Sequence, residues 1–369
     1  MIRRRVSKPI QVGDVQVGGG AQVVIQSMTK TNTRDVAATI DQIHRLKECG
    51  CEIVRVAIPD MEAAEALARI KRNVSIPLIA DIHFDHRLAL AALKRGADQV
   101  RINPGNIPEP ERIAAVVRSA KERNIPLRIG VNAGSMPRKK QGMENREQEE
   151  LTSRTRFLAT QMAEVVLEQV DFIEGLGFDL IEVSLKAFDV LATVEANRIV
   201  AEKIPYPIHL GITESGPPRT GGIRSAAGLA ILLYQGIGDS LRVSLSTPDP
   251  CEEVFVGYEI LKSLELRQGP VLVSCPTCGR CEIKGFFDLV HEVEKLLAGF
   301  DKPIKVAVMG CEVNGPGEAK DADLGLACGK GRGLIFKKGK KVRAVEEQDF
   351  LAALVTELEK FRDNGGNLE

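Results

Sequence analysis

Between residues 22 and 268 one unit recurs: a short apolar run rich in Val and Ile, a polar turn, then apolar residues at helical spacing. The runs occupy 23–28, 53–58, 77–82, 99–103, 126–132, 180–186, 207–213 and 240–246, eight in all. Strands that alternate with helices build a parallel sheet through right-handed crossovers, and eight such units close into a (β/α)8 TIM barrel. An open doubly wound sheet is the alternative. It is disfavoured because no Gly-x-Gly-x-x-Gly turn follows the first run.

The flanking segments break this rhythm. Residues 12–20 pair alternating valines with a Gly-rich turn and predict a hairpin closing the bottom of the barrel. Residues 133–150 form a long polar stretch after the fifth run, an insertion at the barrel mouth that is either a mobile active-site loop or a solvated excursion. Past Leu266 the pattern changes to a strand at 270–274, a helix at 285–297, a strand at 303–310, a hairpin around Lys337-Lys-Gly-Lys-Lys341, and a helix at 346–362. The chain thus divides into a barrel, 1–268, and a smaller α+β unit, 269–369. The basic hairpin is a solvated turn or, alternatively, a docking patch for an acidic electron donor.

Composition narrows the function. Fifty basic and fifty acidic residues cancel, so the overall field calls for neither nucleic acid nor an anionic membrane. No apolar run approaches the ~20 residues that span a bilayer, and no apolar segment follows the basic N-terminus. A cytoplasmic protein is expected, with its eight cysteines free or metal-bound rather than paired. Cys49, Cys51 and Cys251 read as small core residues.

Barrel interiors are normally filled by branched apolar side chains. Here alternate strand positions are polar: Arg55; Asp81 and His83; Arg101 and Asn103; Arg128 and Asn132; Glu182, Ser184 and Lys186; His209 and Thr213; Arg242, Ser244 and Ser246. Buried cations cost several kcal/mol apiece unless paired, and these carboxylates do not obviously cover five of them. A multiply charged anion is the natural partner, and arginine forks with a lysine suit a diphosphate. Glu214, just past the seventh run, is a candidate general acid or base, with a salt bridge as the plainer reading. His83, His86 and His209 lack metal-ligand spacing and are read as hydrogen-bonding residues at the mouth.

The remaining chemistry sits in 275–318. Cys275-Pro-Thr-Cys278-Gly-Arg-Cys281 can chelate a soft metal centre, and Cys311 returns on a Gly/Pro-rich loop at the end of the next strand. The ferredoxin continuation is absent, so further ligands come from Cys281, Cys311, Cys328, Glu312 or Glu318. A structural zinc site is the alternative, in a barrel protein that binds a phosphate ligand without redox chemistry. A radical enzyme using S-adenosylmethionine is disfavoured, because the first barrel strand carries no cysteine.

Taken together, Ile25-Gln-Ser-Met-Thr29, Val100-Arg-Ile-Asn-Pro-Gly-Asn106, Arg128-Ile-Gly-Val-Asn-Ala-Gly-Ser135, His209-Leu-Gly-Ile-Thr-Glu-Ser-Gly216, Gly238-Asp-Ser-Leu-Arg-Val-Ser244, Cys275-Pro-Thr-Cys278 and Asn314-Gly-Pro-Gly-Glu-Ala319 resemble the 4-hydroxy-3-methylbut-2-enyl diphosphate synthases in their two-domain bacterial form. The resemblance implies a [4Fe-4S] cluster held by Cys275, Cys278, Cys311 and Glu318, with Cys281 a bystander. It implies reductive opening of 2-C-methyl-D-erythritol 2,4-cyclodiphosphate with two electrons from ferredoxin or flavodoxin. Arg55, Arg101, Asn103, Arg128, Asn132, Lys186, Arg242 and Ser244 would hold that substrate while Glu214 supplies a proton. It further implies a homodimer in which the cluster domain of one subunit covers the barrel mouth of the other.

Overall fold

The computed structural model describes residues 2–107, 109–135, 151–300, 302–311 and 319–363. The expected loop at 133–150 falls mostly outside them, as do Glu312 and Glu318. The chain forms two compact units, Met1–Arg267 and Gln268–Glu369, each with its own core.

The first unit opens with a hairpin, β1 (Ile10–Val12) and β2 (Val15–Val17). Its apolar face buries Ile10, Val12 and Val17 against Val24, Ile53 and Ile79 near the N-terminal ends of three barrel strands. The barrel strands are β3 (Val24–Met28), β4 (Ile53–Ala57), β5 (Leu78–Ile82), β6 (Gln99–Ile102), β7 (Leu127–Asn132), β8 (Ile181–Lys186), β9 (His209–Leu210) and β10 (Ser240–Leu241). All pair in parallel in the order β8-β7-β6-β5-β4-β3-β10-β9, and a bridge from Val183 to Ile208 closes the ring.

Seven helices return the chain between strands and an eighth follows the last strand: α1 (Val36–Glu48), α2 (Met61–Asn73), α3 (His86–Lys94), α4 (Pro110–Arg123), α5 (Leu151–Gly175), α6 (Val190–Ala201), α7 (Pro218–Tyr234) and α8 (Cys251–Ser263). Aspartates 35, 60, 85 and 189 cap α1, α2, α3 and α6 by accepting an amide hydrogen bond, which fixes where those helices start. The last two strands are shorter than their apolar runs. At Gly211 a Cβ would lie 2.8 Å from both the Arg242 carbonyl oxygen and Lys186 Nζ, so only glycine admits the close approach of these groups at the mouth.

Two cysteines are not core residues. Cys49, the C-cap of α1, is exposed and bonded to Cys251, which starts α8, across a sequence separation of 202. Barrel closure brings the first and last helices side by side, and neither cysteine's sequence neighbourhood reveals that approach. Cys51 does lie in the core, where burial pushes its thiol up to about 12.

The second unit is a five-stranded sheet, β11 (Val271–Ser274), β12 (Lys305–Met309), β13 (Leu324–Cys328), β14 (Arg332–Lys337) and β15 (Lys340–Glu346), in sequential order. The first three strands are parallel and the last three antiparallel. Helices α9 (Phe286–Ala298) and α10 (Phe350–Asp363) share a core with Val306, Val308, Leu324 and Leu326. The basic hairpin turns at Lys338 and Gly339, both at positive φ as a type I′ turn requires. Lys337 pairs at 3.1 Å with Glu357, so part of its charge is spent within the unit.

Candidate functional site

The barrel interior is polar in two layers. In the lower one, Arg128 donates from Nε to Glu182 at 2.8 Å and from Nη2 to Gln26 at 2.6 Å and Gln99 at 3.1 Å. Gln99 and Ser240 also donate to Glu182, at 2.9 and 2.6 Å. His209 Nδ1 lies 2.8 Å from Ser240 Oγ. His209 is therefore a hydrogen-bonding residue of the interior, not of the mouth as expected from the sequence. Burial, reinforced by Arg128 and Lys186, pushes its pKa well below the ordinary histidine value and keeps it neutral.

The upper layer gathers the other predicted cations at the C-terminal ends of the strands, where (β/α)8 proteins carry their sites. Asp81 accepts from Arg101 at 3.2 Å and lies 3.7 Å from Arg55. Burial alone would raise Asp81, but Arg55 and Arg101 hold it below the ordinary carboxylate range. Gly130 makes room for Arg101: a Cβ there would sit 2.5 Å from Arg101 Nε. Arg242 meets Glu253 on α8 at 3.3 Å. Lys186, buried at the end of β8, has no carboxylate within ion-pair distance among the described residues. Burial, then Arg55, Arg242, Arg128 and Arg101, push its pKa well below the usual lysine value.

Five inward cations, with Lys30 beside Glu253, thus face three carboxylates, Asp81, Glu182 and Glu253. Positive groups outnumber negative ones, which suits a multiply charged anion. Of the smaller predicted groups, Asn103 donates to Ser135 Oγ at 2.7 Å and accepts from the Gly105 amide at 3.2 Å. Asn132 ends β7, and Ser244 is half-buried. Glu214 is exposed and adopts a left-handed φ of 55°, a strained conformation for a non-glycine residue. Glu253 escaped the strand-parity reading because it sits on a helix outside the barrel wall. An acidic residue in the first turn of the helix just after the last strand was its only sequence signal.

In the second unit, β11 and β12 run parallel and adjacent, so the segments leaving their C-terminal ends meet. Cys275, Cys278 and Cys311 line one cavity of about 200 Å3 with Arg280, Met309 and Gly310. The Gly310 amide donates to Cys275 Sγ at 3.1 Å. Arg280 Nε donates to Cys278 Sγ at 3.3 Å and draws that thiol below its ordinary pKa. Cys281 does not line the cavity; it packs against Gly310, where a Cβ would lie 3.0 Å from Cys281 Sγ and 3.3 Å from Cys275 Sγ. Cys328 is buried, and burial together with Cys281 and Cys275 pushes it up to about 12.

Among the described residues no three His, Cys, Asp or Glu side chains converge on a single ion position. Three thiols lining one cavity, with amide and guanidinium donors to sulfur, can hold a soft metal group, whether a zinc ion or an iron-sulfur cluster.

Barrel, cationic mouth and thiol-lined cavity define a two-unit (β/α)8 protein with excess positive groups at the barrel mouth and three thiols gathered in the second unit. Family models described as the GcpE TIM-barrel domain and the GcpE protein C-terminal domain match residues 7–258 and 271–360. The chain belongs to the GcpE family. It is 57% identical over 359 residues to a protein of Dehalococcoides mccartyi, covering 97% of this chain and 99% of the relative. To one of Geobacter sulfurreducens it is 55% identical, covering 96% and 98%. To one of Thermodesulfovibrio yellowstonii it is 50% identical, covering 98% and 100%. All three are named 4-hydroxy-3-methylbut-2-en-1-yl diphosphate synthase (flavodoxin). Among solved structures, a Yersinia pestis dihydropteroate synthase is similar at a TM-score of 0.50 with 10% identity, covering 70% of this chain and 98% of that one, a likeness of fold alone.

Proposed function

We propose that this protein converts 2-C-methyl-D-erythritol 2,4-cyclodiphosphate to (E)-4-hydroxy-3-methylbut-2-enyl diphosphate. It would use two electrons from flavodoxin or ferredoxin, with a [4Fe-4S] cluster as resident cofactor, as a cytoplasmic homodimer. The observation that carries this reading is the match, along nearly the whole chain, to relatives bearing that name.

The cation surplus of the barrel mouth supports it, because the cyclic diphosphate is a dianion near neutral pH. Arg55, Arg101, Lys186 and Arg242 bind its phosphate oxygens, Arg128 backs them from the layer below, and Asn103, Asn132 and Ser244 orient it by hydrogen bonds. Glu214, exposed at the mouth, delivers a proton to the departing hydroxyl. Cys275, Cys278, Cys311 and Glu318 would hold the cluster. When bound, the cluster supplies electrons and Lewis acidity. The amide of Gly310 and the guanidinium of Arg280 stabilise thiolate charge at Cys275 and Cys278.

The test is an anaerobic assay of cyclodiphosphate consumption by cluster-loaded protein with a chemical reductant. Stoichiometric formation of the linear diphosphate is expected; fully loaded protein that leaves the substrate intact would overturn the reading. Glu214→Gln is expected to lower kcat about 100-fold or more, the usual scale of a general acid, with intact substrate binding. Full turnover by that variant would remove the proton role.

A further inference from the structure

Glu253 lies outside the set of groups that face the barrel mouth, yet it is among the most completely engaged acids in the barrel. It is 1% exposed, in the first turn of α8, where the helix dipole favours a carboxylate. Its Oε1 accepts from the Leu245 amide at 3.1 Å and lies 3.3 Å from Lys30 Nζ. Its Oε2 accepts from Ser27 Oγ at 3.1 Å. Both oxygens also meet Arg242, whose Nη2 lies 3.4 Å from Oε1 and 3.3 Å from Oε2, with Nε at 3.4 Å from Oε2. Lys30 Nζ further donates to the Leu245 and Thr247 carbonyls at 3.2 and 2.5 Å. One carboxylate therefore ties together the end of β3, the loop after it, the loop after β10, and the arginine at the mouth.

This arrangement decides which part of Arg242 is available. The Nε and Nη2 edge is occupied by Glu253, whereas Nη1 has no hydrogen-bond partner among the described residues and the Arg242 side chain stays 15% exposed. A guanidinium gripped along one edge has its plane fixed, so its free nitrogen is aimed before any ligand arrives. Arg242 alone, on a flexible stem, would lose that freedom on binding and bind more weakly.

We propose that Glu253 is a positioning residue: it orients Arg242 so that Nη1 meets a phosphate oxygen of the ligand. This rests on the cyclodiphosphate reading of the barrel mouth. Because an aimed arginine binds ground state and transition state alike, the effect belongs in KM rather than kcat.

The experiment compares wild type, Glu253→Gln, Arg242→Met and the double variant in two measurements. One is steady-state turnover of the cyclodiphosphate by cluster-loaded protein. The other is calorimetric titration with inorganic diphosphate, which needs no cluster. Glu253→Gln is expected to raise KM and the diphosphate Kd about tenfold, the scale of one weakened charge-assisted hydrogen bond, with kcat within about threefold. Added to Arg242→Met it is expected to have no further effect on either constant, because Glu253 acts through that arginine.

A purely structural Glu253 would lower the unfolding temperature and the yield of folded protein while leaving KM and Kd of the folded fraction unchanged; that result overturns the proposal, as does full additivity in the double variant. If wild type leaves the cyclodiphosphate untouched, the functional reading fails, and the diphosphate titration still decides whether Glu253 aims Arg242. Should Glu253→Gln not fold, Glu253→Asp replaces it: the shortened carboxylate is expected to give the same KM and Kd increase, reduced in size, and unchanged constants would overturn the proposal.

Discussion

At the scale of single residues, Lys186 is the group whose behaviour depends most on what occupies the mouth. Its depressed pKa means that part of its population is unprotonated below the ordinary lysine value of 10.5. A bound dianion would favour the ammonium form and raise that pKa again, so binding takes up a proton. Affinity is therefore highest below the free-state pKa and falls as pH rises through it toward the bound-state value. Because the phosphates of the cyclodiphosphate have no proton to lose near neutrality, the uptake would belong to the protein. Calorimetry in two buffers of different ionisation enthalpy measures it. Lys186→Met is expected to abolish the uptake and weaken binding about tenfold or more, as loss of a charge-assisted hydrogen bond does. Identical binding heats in both buffers for the wild type would contradict the account.

Elements act on one another most visibly where α1 meets α8. The Cys49–Cys251 bond joins the first helix of the barrel to the last, and Arg45 and Asp249 pair beside it at 3.3 Å. Closing so long a loop removes freedom from the unfolded chain worth up to about 5 kcal/mol on the chain-entropy model, and measured gains are often smaller. Reduction, or Cys251→Ser, is expected to lower the barrel's thermal midpoint by several degrees. Thermal scans with and without dithiothreitol check this, together with alkylation under native conditions. An unchanged midpoint with both cysteines alkylated before reduction would sink it. Since α8 also carries Glu253, the crosslink anchors the helix that holds Arg242.

For the molecule as a whole, the two cores have separate consequences. The barrel buries its own apolar cluster, and the second unit has cores of its own on its sheet. All four proposed cluster ligands belong to the second unit. A group bound only by the folded form stabilises what binds it. Differential scanning calorimetry of cluster-loaded and cluster-free protein is therefore expected to show the transition of the second unit moving upward with the cluster while the barrel transition stays in place. Equal movement of both would mean that the units unfold as one.

Much of the fold was legible in the sequence because its determinants are local. Period-two apolar runs alternating with helical ones specify strand and helix whatever lies elsewhere in the chain, and eight repetitions specify the barrel. The inward cations could be found for the same reason, since strand parity alone places Arg55, Arg101, Arg128 and Arg242 on one side. Only the tertiary structure decided how those charges are balanced, because a partner's distance in space is unrelated to its distance along the chain. It paired Arg128 with Glu182 in a sealed lower layer, moved His209 from the mouth into that layer, and brought Glu253 from a helix to Arg242. It joined Cys49 to Cys251 and left Lys186 among cations with no described carboxylate beside it. Residue type and periodicity determined which groups face inward; closure of the ring determined which of them meet, and so which charge is left for a ligand to satisfy.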